Sequence, residues 1–207
     1  MIPPDCSWAA RCSTTRVGSV MPVSAVTTMV LAGLVAAAPG DRLAVPLELQ
    51  AELLAKVVRY DRNFVHRVGD RARVLVVYAP DSPESERVAR LLSAALQSQR
   101  SIGGVAHEEE LVPFVNATKL VALARERKAA LVIFAPGLAV HASALGTAFD
   151  GFDGLTVSTT TDGVREGLVL GFDLVSGRPR MLLNLTQSRR QHADFRAEVL
   201  QLMTVYP

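Results

Sequence analysis

The first clear pattern in the chain is a helical alternation of apolar and charged residues in PLELQAELLAKVVRY, residues 46–60. Apolar side chains recur every three or four positions and charged ones fall on the opposite side, which is typical of a helix packed against a core. Pro46 suits the first turn, where a backbone N–H is not needed. The predicted apolar face carries Leu49, Leu53, Leu54, Val57, Val58 and Tyr60.

Short apolar runs then alternate with segments of helical pattern. Ser82 and Asn116 are residue types that cap helices, so we expect one helix after each, the second ending at Lys128. A weaker helical pattern covers residues 139–149. This alternation of helix and strand predicts an α/β fold with a mostly parallel sheet flanked by helices. The predicted strands are RVLVVYAP (73–80), an edge strand over 105–111, ALVIFAP (130–136) and GLTVST (154–159).

The alternation of helix and strand stops in the last part of the chain. The apolar runs LVLGFDLV (168–175) and RPRMLLNL (178–185) are joined by Ser176-Gly177, so we predict an antiparallel hairpin with a two-residue turn. A final helix is expected after it, with Phe195, Val199 and Leu202 on one face. The sheet is therefore predicted to be finished by a C-terminal antiparallel hairpin and a helix.

An uncharged stretch near the start of the chain, Val17–Gly40, differs from everything after it. Arg11 and Arg16 precede it, and it contains the small-residue sequence Val35-Ala36-Ala37. Basic residues, an apolar segment and a small-residue site are the parts of a secretory signal peptide. Its most apolar part, Met29–Ala38, is far shorter than the roughly 20 residues that span a bilayer.

We therefore predict a cleaved signal peptide over 1–37, a short linker over 38–45 and one domain over 46–207. The protein is then exported, and its predicted location is the periplasm. An uncleaved membrane anchor is the alternative, and Met21 is an alternative start.

Composition and charge exclude one large class of function. The 207 residues are 49% hydrophobic and 20% charged, an ordinary globular composition whose length favours one domain. The 22 basic residues are scattered among 20 acidic ones, without the basic stripe and interleaved aromatics of a nucleic-acid binder. Cys6 and Cys12 both lie in the predicted signal peptide, so the exported domain needs no disulfide.

Sequence patterns for catalysis, metals and cofactors are missing. The four histidines lack metal-site spacing, and there is no GxSxG nucleophile motif. The turn APDSPESE after the first buried strand has three acidic residues and no glycine, which disfavours a bound phosphate. Glu108-Glu109-Glu110 is interpreted as a solvated strand end, with a cation site as the alternative. We predict no cofactor, no metal and no enzymatic activity.

The chain from Leu43 to Val205 is similar to the YfiR-like family of bacterial periplasmic proteins. The longest stretch resembles the family's segment LTVSD…GF…GG-I-F…GK-RF-IN, in which a strand and a glycine-bearing turn lead into a hairpin ending in Asn. The opening and closing stretches resemble the family's first and last helices. The three stretches are LLAKVVRYDRNF (53–64), LTVSTTTDGVREGLVLGFDLVSGRPRMLLNL (155–185) and SRRQHADFRAEVLQLM (188–203).

This resemblance implies a regulatory or sensor protein that binds the outer domain of a membrane signalling protein. In the family, the partner is a membrane-bound diguanylate cyclase that is inhibited from the periplasm, so that cyclic-di-GMP output falls. The cysteines of redox-responsive members are missing here, which excludes a thiol switch. A periplasmic solute-binding component of a transport system is the alternative, with its ligand near Pro80–Ser82 or Pro136–Leu138. Homodimer formation is left open.

The candidate partner-binding residues lie at the end of the first helix and after the hairpin. Aromatic residues carry much of the energy of protein interfaces, so Tyr60 and Phe64 are candidate anchors, although both also suit a core. Asn184 also suits a turn or cap. The full set is Tyr60, Arg62, Phe64, Asn184, Arg189 and Arg190.

Overall fold

Residues 43–207, the part of the chain that the computed structural model describes, contain one seven-stranded sheet. The strands are β1 (Arg71–Tyr78), β2 (Ala106–Pro113), β3 (Leu131–Phe134), β4 (Leu155–Ser158), β5 (Leu170–Val175), β6 (Arg178–Asn184) and β7 (Met203–Tyr206). Their order across the sheet is β2-β1-β3-β4-β5-β6-β7. Strands β1 to β5 run parallel, β6 is antiparallel to β5, and β7 is parallel to β6. The predicted α/β fold class is confirmed.

Helices cover both faces of this sheet. Their bounds are α1 (Leu47–Val57), α2 (Phe64–Val68), α3 (Pro83–Gln97), α4 (Ala117–Glu126), α5 (Ala142–Ala148), α6 (Asp162–Arg165), α7 (Leu185–Arg190) and α8 (Ala197–Leu200). A 3-10 turn, Val58–Tyr60, continues α1, and another, Ala139–His141, precedes α5. The apolar sides of α1 and α3 share one core with the sheet, while α4 and α5 build a second core on the other face.

The helix starts follow the predicted capping residues. The side-chain oxygen of Ser82 accepts the backbone N–H of Ser85 at 3.2 Å, and that of Asn116 accepts the N–H of Lys119 at 2.9 Å. Each bond satisfies one of the N–H groups that a helix start leaves without an intrahelical partner. Strand β2 lies at the edge of the sheet, as the sequence predicts.

The predicted hairpin is present, and its turn has the geometry that two-residue hairpins prefer. Ser176 and Gly177 both have positive φ, 51° and 74°, which is the type I′ conformation. This turn matches the twist of the flanking strands. It sets the register in which Phe172 lies opposite Met181 and Leu174 opposite Pro179.

The predicted final helix is wrong except for one turn, Ala197–Leu200, and Phe195 lies before that turn in an isolated bridge with Asp61. Helix α8 ends at Leu200, and the chain then forms β7 beside β6. The β-branched and aromatic residues of β7 favour a strand, and Met203 becomes buried next to Met181. Leu202, expected on the packed face with Phe195, is instead 69% exposed.

The predicted signal peptide, residues 1–37, lies outside the described residues. Within residues 43–207, no helix is both long enough and apolar enough to cross a bilayer.

Candidate functional site: an apolar groove beside the first helix

An open groove of about 280 Å³ runs between α1 and the strands β6 and β7. Its walls are almost entirely apolar, and Lys56 is the one charged residue among the side chains that line it. The lining residues are Leu53, Lys56, Val57 and Tyr60 from α1 and its 3-10 turn, Pro179 and Met181 from β6, and Val199, Leu202 and Met203 from α8 and β7. We call this feature the docking groove.

Apolar side chains continue the docking groove onto the open sheet surface. Leu174 lies opposite Pro179 in the β5–β6 hairpin, so both point to the same face of the sheet. Val205 lies two residues after Met203 in β7 and therefore shares its face. Leu202 is 69% exposed, Leu174 46% and Val205 39%. Exposed apolar side chains beside an apolar groove are typical of an interaction surface.

Backbone bonds join the end of α1 to the segment 192–195, which leads into α8. The N–H of Arg62 donates to the carbonyl of Asp194 at 2.9 Å, and the N–H of Arg196 donates to the carbonyl of Tyr60 at 3.0 Å. Asp61 and Phe195 form an isolated antiparallel bridge. Two segments more than 130 residues apart are therefore held together at one end of the docking groove.

The carboxylate of Asp61 is the centre of this junction. Its Oδ1 accepts the N–H groups of Asn63 at 3.1 Å and Asp194 at 2.9 Å, and its Oδ2 pairs with the Arg67 guanidinium at 2.7 Å. The side chain of Asp61 is fully buried, and that of Arg67 is 3% exposed. Because a buried charge needs a charged partner and hydrogen bonds, this set of contacts holds the junction rigid.

Arg67 uses its remaining donors to bind two further segments. One terminal nitrogen donates to the carbonyl of His192 at 2.5 Å, and Nε lies 2.8 Å from Asp153 Oδ1 but is poorly aligned for a hydrogen bond. The guanidinium is thus surrounded by acceptors, so its charge stabilises the junction and is not free to bind an anion.

Of the predicted partner-binding residues, Tyr60 lines the docking groove and Arg62 lies beside it at the junction. Tyr60 is half-buried in its wall, with the guanidinium of Arg59 5.5 Å from the ring centre. Arg62 is exposed at the junction and forms an ion pair with Asp194 at 2.9 Å. The end of the first helix and the segment 192–195, both within the predicted docking surface, lie next to each other in the fold.

The other four predicted residues do not line the docking groove. Phe64 is fully buried, and its ring lies so close to Gly103 that a Cβ there would come within 2.5 Å; it is a core residue and not an exposed anchor. Asn184 caps α7, since its Oδ1 accepts the N–H of Gln187 at 2.9 Å. Arg189 and Arg190 are exposed on α7, where Arg190 lies 3.6 Å from Asp150.

Sequence reasoning missed the sheet side of the docking groove. The sequence pattern places Pro179 and Met181 in the hairpin and Met203 in the final helix, and nothing in it marks these three residues as the wall of a groove. The available signal was the proline in β6, because a proline cannot donate to a sheet ladder and is found near sheet edges. Leu202 was identified as apolar, but the expected helix placed it in the core.

The first of the two loops proposed for a solute, Pro80–Ser82, makes contacts within the fold. The hydroxyl of Ser82 caps α3, and the hydroxyl of Ser85 accepts the N–H of Ala79 at 2.9 Å.

On helix α3, the exposed Arg87 guanidinium lowers the pKa of Glu84 through a side-chain hydrogen bond. This is a surface ion pair far from the docking groove, of a kind that contributes little.

The acidic triplet is divided among separate contacts. Glu108 forms ion pairs with Arg71 and Arg73, and Glu109 is buried against His107. Among residues 43–207, no group of three or more His, Cys, Asp or Glu side chains is arranged to hold a metal ion.

Comparison with known proteins supports the fold of this chain but identifies no family. No protein-family model matches the chain, and no curated protein matches it. A conserved domain protein from Vibrio cholerae O1 biovar El Tor strain N16961 is 12% identical, with a TM-score of 0.54 over 77% of this chain. This chain spans 60% of that protein's length. The likeness supports the α/β fold alone.

A second solved structure is more distant. The ABC domain in complex with L-Trp from Streptococcus pneumonia is 9% identical with a TM-score of 0.49, over 72% of this chain and 62% of that one.

Proposed function

We propose that this protein is a periplasmic regulatory protein of the YfiR-like type, which binds the outer domain of a membrane signalling protein such as a diguanylate cyclase. The observation that supports this proposal is the docking groove with its exposed apolar continuation. In this proposal the groove is the contact surface, and Tyr60 and Leu202 are its main anchors.

The chemistry of the docking groove favours a protein partner over a small polar ligand. Sites for small ligands are usually enclosed and combine apolar walls with several converging polar groups that fix the ligand's orientation. Here Lys56 and the Tyr60 hydroxyl are the polar groups among the lining side chains, and the Lys56 ammonium already pairs with Glu52 at 2.5 Å. An open apolar surface with a polar rim resembles the core of a protein interface.

The rigid junction beside the docking groove also suits partner binding. The buried Asp61–Arg67 pair and the backbone bonds to Asp194 fix the end of α1 before any partner arrives. A preorganised surface loses less conformational entropy on binding, so more of the apolar contact is available as affinity.

Site-specific photo-crosslinking in the envelope of living cells tests this proposal. A photoreactive residue at Leu202 should crosslink one membrane protein that carries a cytoplasmic cyclase or kinase domain. Val140 is the matched control, because it is an aliphatic side chain that is 85% exposed on the 3-10 turn before α5, outside the groove. Crosslinking should be absent from position 140 and lost from 202 when Tyr60→Asp is added.

Two results would overturn the proposal. Crosslinking of a transport permease from Leu202 would favour the solute-binding alternative. Equal crosslinking from both positions, or none from Leu202 in cells that contain the folded protein, would show that the docking groove binds no membrane signalling protein.

A further inference from the structure

The outer side of β7 has no partner strand among residues 43–207. Its inner side pairs with β6, from Met203 beside Met181 to Tyr206 beside Asn184. An edge strand presents a row of unpaired N–H and C=O groups, which can pair with a strand from another chain. Thr204, near the middle of β7, is exposed.

The opposite edge of the sheet is protected against such pairing. Strand β2 presents the exposed charges of Glu108 and Glu110 and ends at Pro113, and both charges and proline discourage edge-to-edge association. Strand β7 has the sequence MTVY, without charge or proline. The two edge strands of the described sheet therefore differ in charge and proline content, and β7 is the edge that suits pairing with a further strand.

We propose that β7 pairs antiparallel with β7 of a second copy of this chain, about a two-fold axis that passes through Thr204. Residues that lie opposite each other in an antiparallel pair share a face of the sheet. Centring the pair on Thr204 places Met203 opposite Val205 of the second copy, and these two residues share the groove face. The fourteen strands of the two copies then form one continuous sheet.

Charge favours a second copy as the occupant. In a two-fold antiparallel pair every side chain faces a residue of the same strand in the other copy, so a strand that carries charges of one sign would place like charges near each other and weaken the pair. No charged residue occurs from Leu202 to Pro207. The same operation on β2 would bring its glutamates close to their own copies.

A stable dimer interface needs area from side chains in addition to the backbone of the paired strands. Two four-residue strands cover less than the roughly 800 Å² per partner of a standard stable interface. Val205, which is 39% exposed, supplies additional apolar area from each copy. We therefore expect a dimer that forms in a concentration-dependent way, weaker than an obligate one.

The pairing has a consequence for the docking groove, and this step rests on the proposed function. A two-fold axis perpendicular to the sheet leaves both grooves on the same face. The β6 strands of the two copies are then three strand spacings apart, about 14 Å. The dimer would present a paired docking surface suited to a signalling protein that is itself two-fold symmetric.

Cysteine crosslinking measures this geometry directly. With Cys6 and Cys12 replaced by Ser, Thr204→Cys places two thiols opposite each other across the axis, within disulfide range. We expect rapid covalent dimer formation under mild oxidation. Thr118→Cys, an exposed threonine on α4, is the matched control and should remain monomeric.

Sedimentation of charge variants separates loss of pairing from loss of folding. Thr204→Lys should be a folded monomer at concentrations where the unaltered protein is a dimer, because two ammonium groups would face each other. Mixing it with Thr204→Asp should restore a mixed dimer. A monomeric unaltered protein at high micromolar concentration, or Thr204→Cys that oxidises no faster than Thr118→Cys, would overturn the proposal, whatever the result of crosslinking from Leu202.

Discussion

Asp61 is the residue on which the wall of the docking groove depends most. Its carboxylate holds two backbone N–H groups and the Arg67 guanidinium in a site from which water is excluded. Arg62, its neighbour, forms an ion pair of similar length with Asp194, but both of those side chains are more than half exposed. The two ion pairs contribute differently to stability because one is buried and the other exposed, and not because their distances differ.

Replacing Asp61 with alanine should therefore destabilise the protein by about 3–5 kcal/mol, because the Arg67 charge is left buried without its closest partner. Urea unfolding followed by circular dichroism measures the change. Asp194→Ala is the matched control, which removes an exposed partner and should cost about 0–1 kcal/mol. Equal losses in the two variants would contradict this account of the junction.

At the scale of elements, the β5–β6 hairpin carries the sheet side of the docking groove. Its turn requires positive φ at both central positions, and Ser176 meets this requirement at 51° without the tolerance of glycine or asparagine. The strand register, and with it the placement of Pro179 and Met181, follows from this turn.

Ser176→Asn should stabilise the protein by about 0.4–1 kcal/mol, because Asn-Gly is the preferred type I′ sequence. The matched opposite change, Ser176→Val, should destabilise it, since a β-branched residue rarely adopts positive φ. Thermal unfolding of both variants gives the sign of each effect. Stabilisation by valine would show that the turn has a different conformation.

Most elements could be predicted from the sequence because their signals are local. Ser82 and Asn116 mark helix starts, and the apolar runs around β1 and β3 mark buried strands. Strand β7 and the docking groove could not be predicted in this way. Four residues of strand pattern after a single helical turn look like the end of an amphipathic helix, and it is their pairing with β6 across the sheet that makes them a strand.

At the scale of the whole molecule, stability should decrease from the centre of the sheet toward β7. The central strands β1 and β3 are paired on both sides and buried on both faces, whereas β7 is four residues long and paired on one side. Local opening is easiest where few buried contacts must be broken.

Hydrogen exchange should accordingly be slowest for amides of β1 and β3 and fastest, among strands, for β7. If β7 pairs with a second copy, protection of its amides should rise with protein concentration while that of β3 stays constant. Mass spectrometry of exchanged peptides over a dilution series makes the comparison. Concentration-independent exchange in β7 would argue against pairing through this edge.

The junction between Asp61 and the segment 192–195 also sets when the docking groove can form. The helix that forms one wall of the groove is made before the central strands, but part of the opposite wall lies in α8 and β7, which follow the hairpin. A product truncated after Asn184 would keep the central strands and lack α7, α8 and β7. Such a fragment would lack part of one wall, so the docking groove is complete only once α8 and β7 have been made.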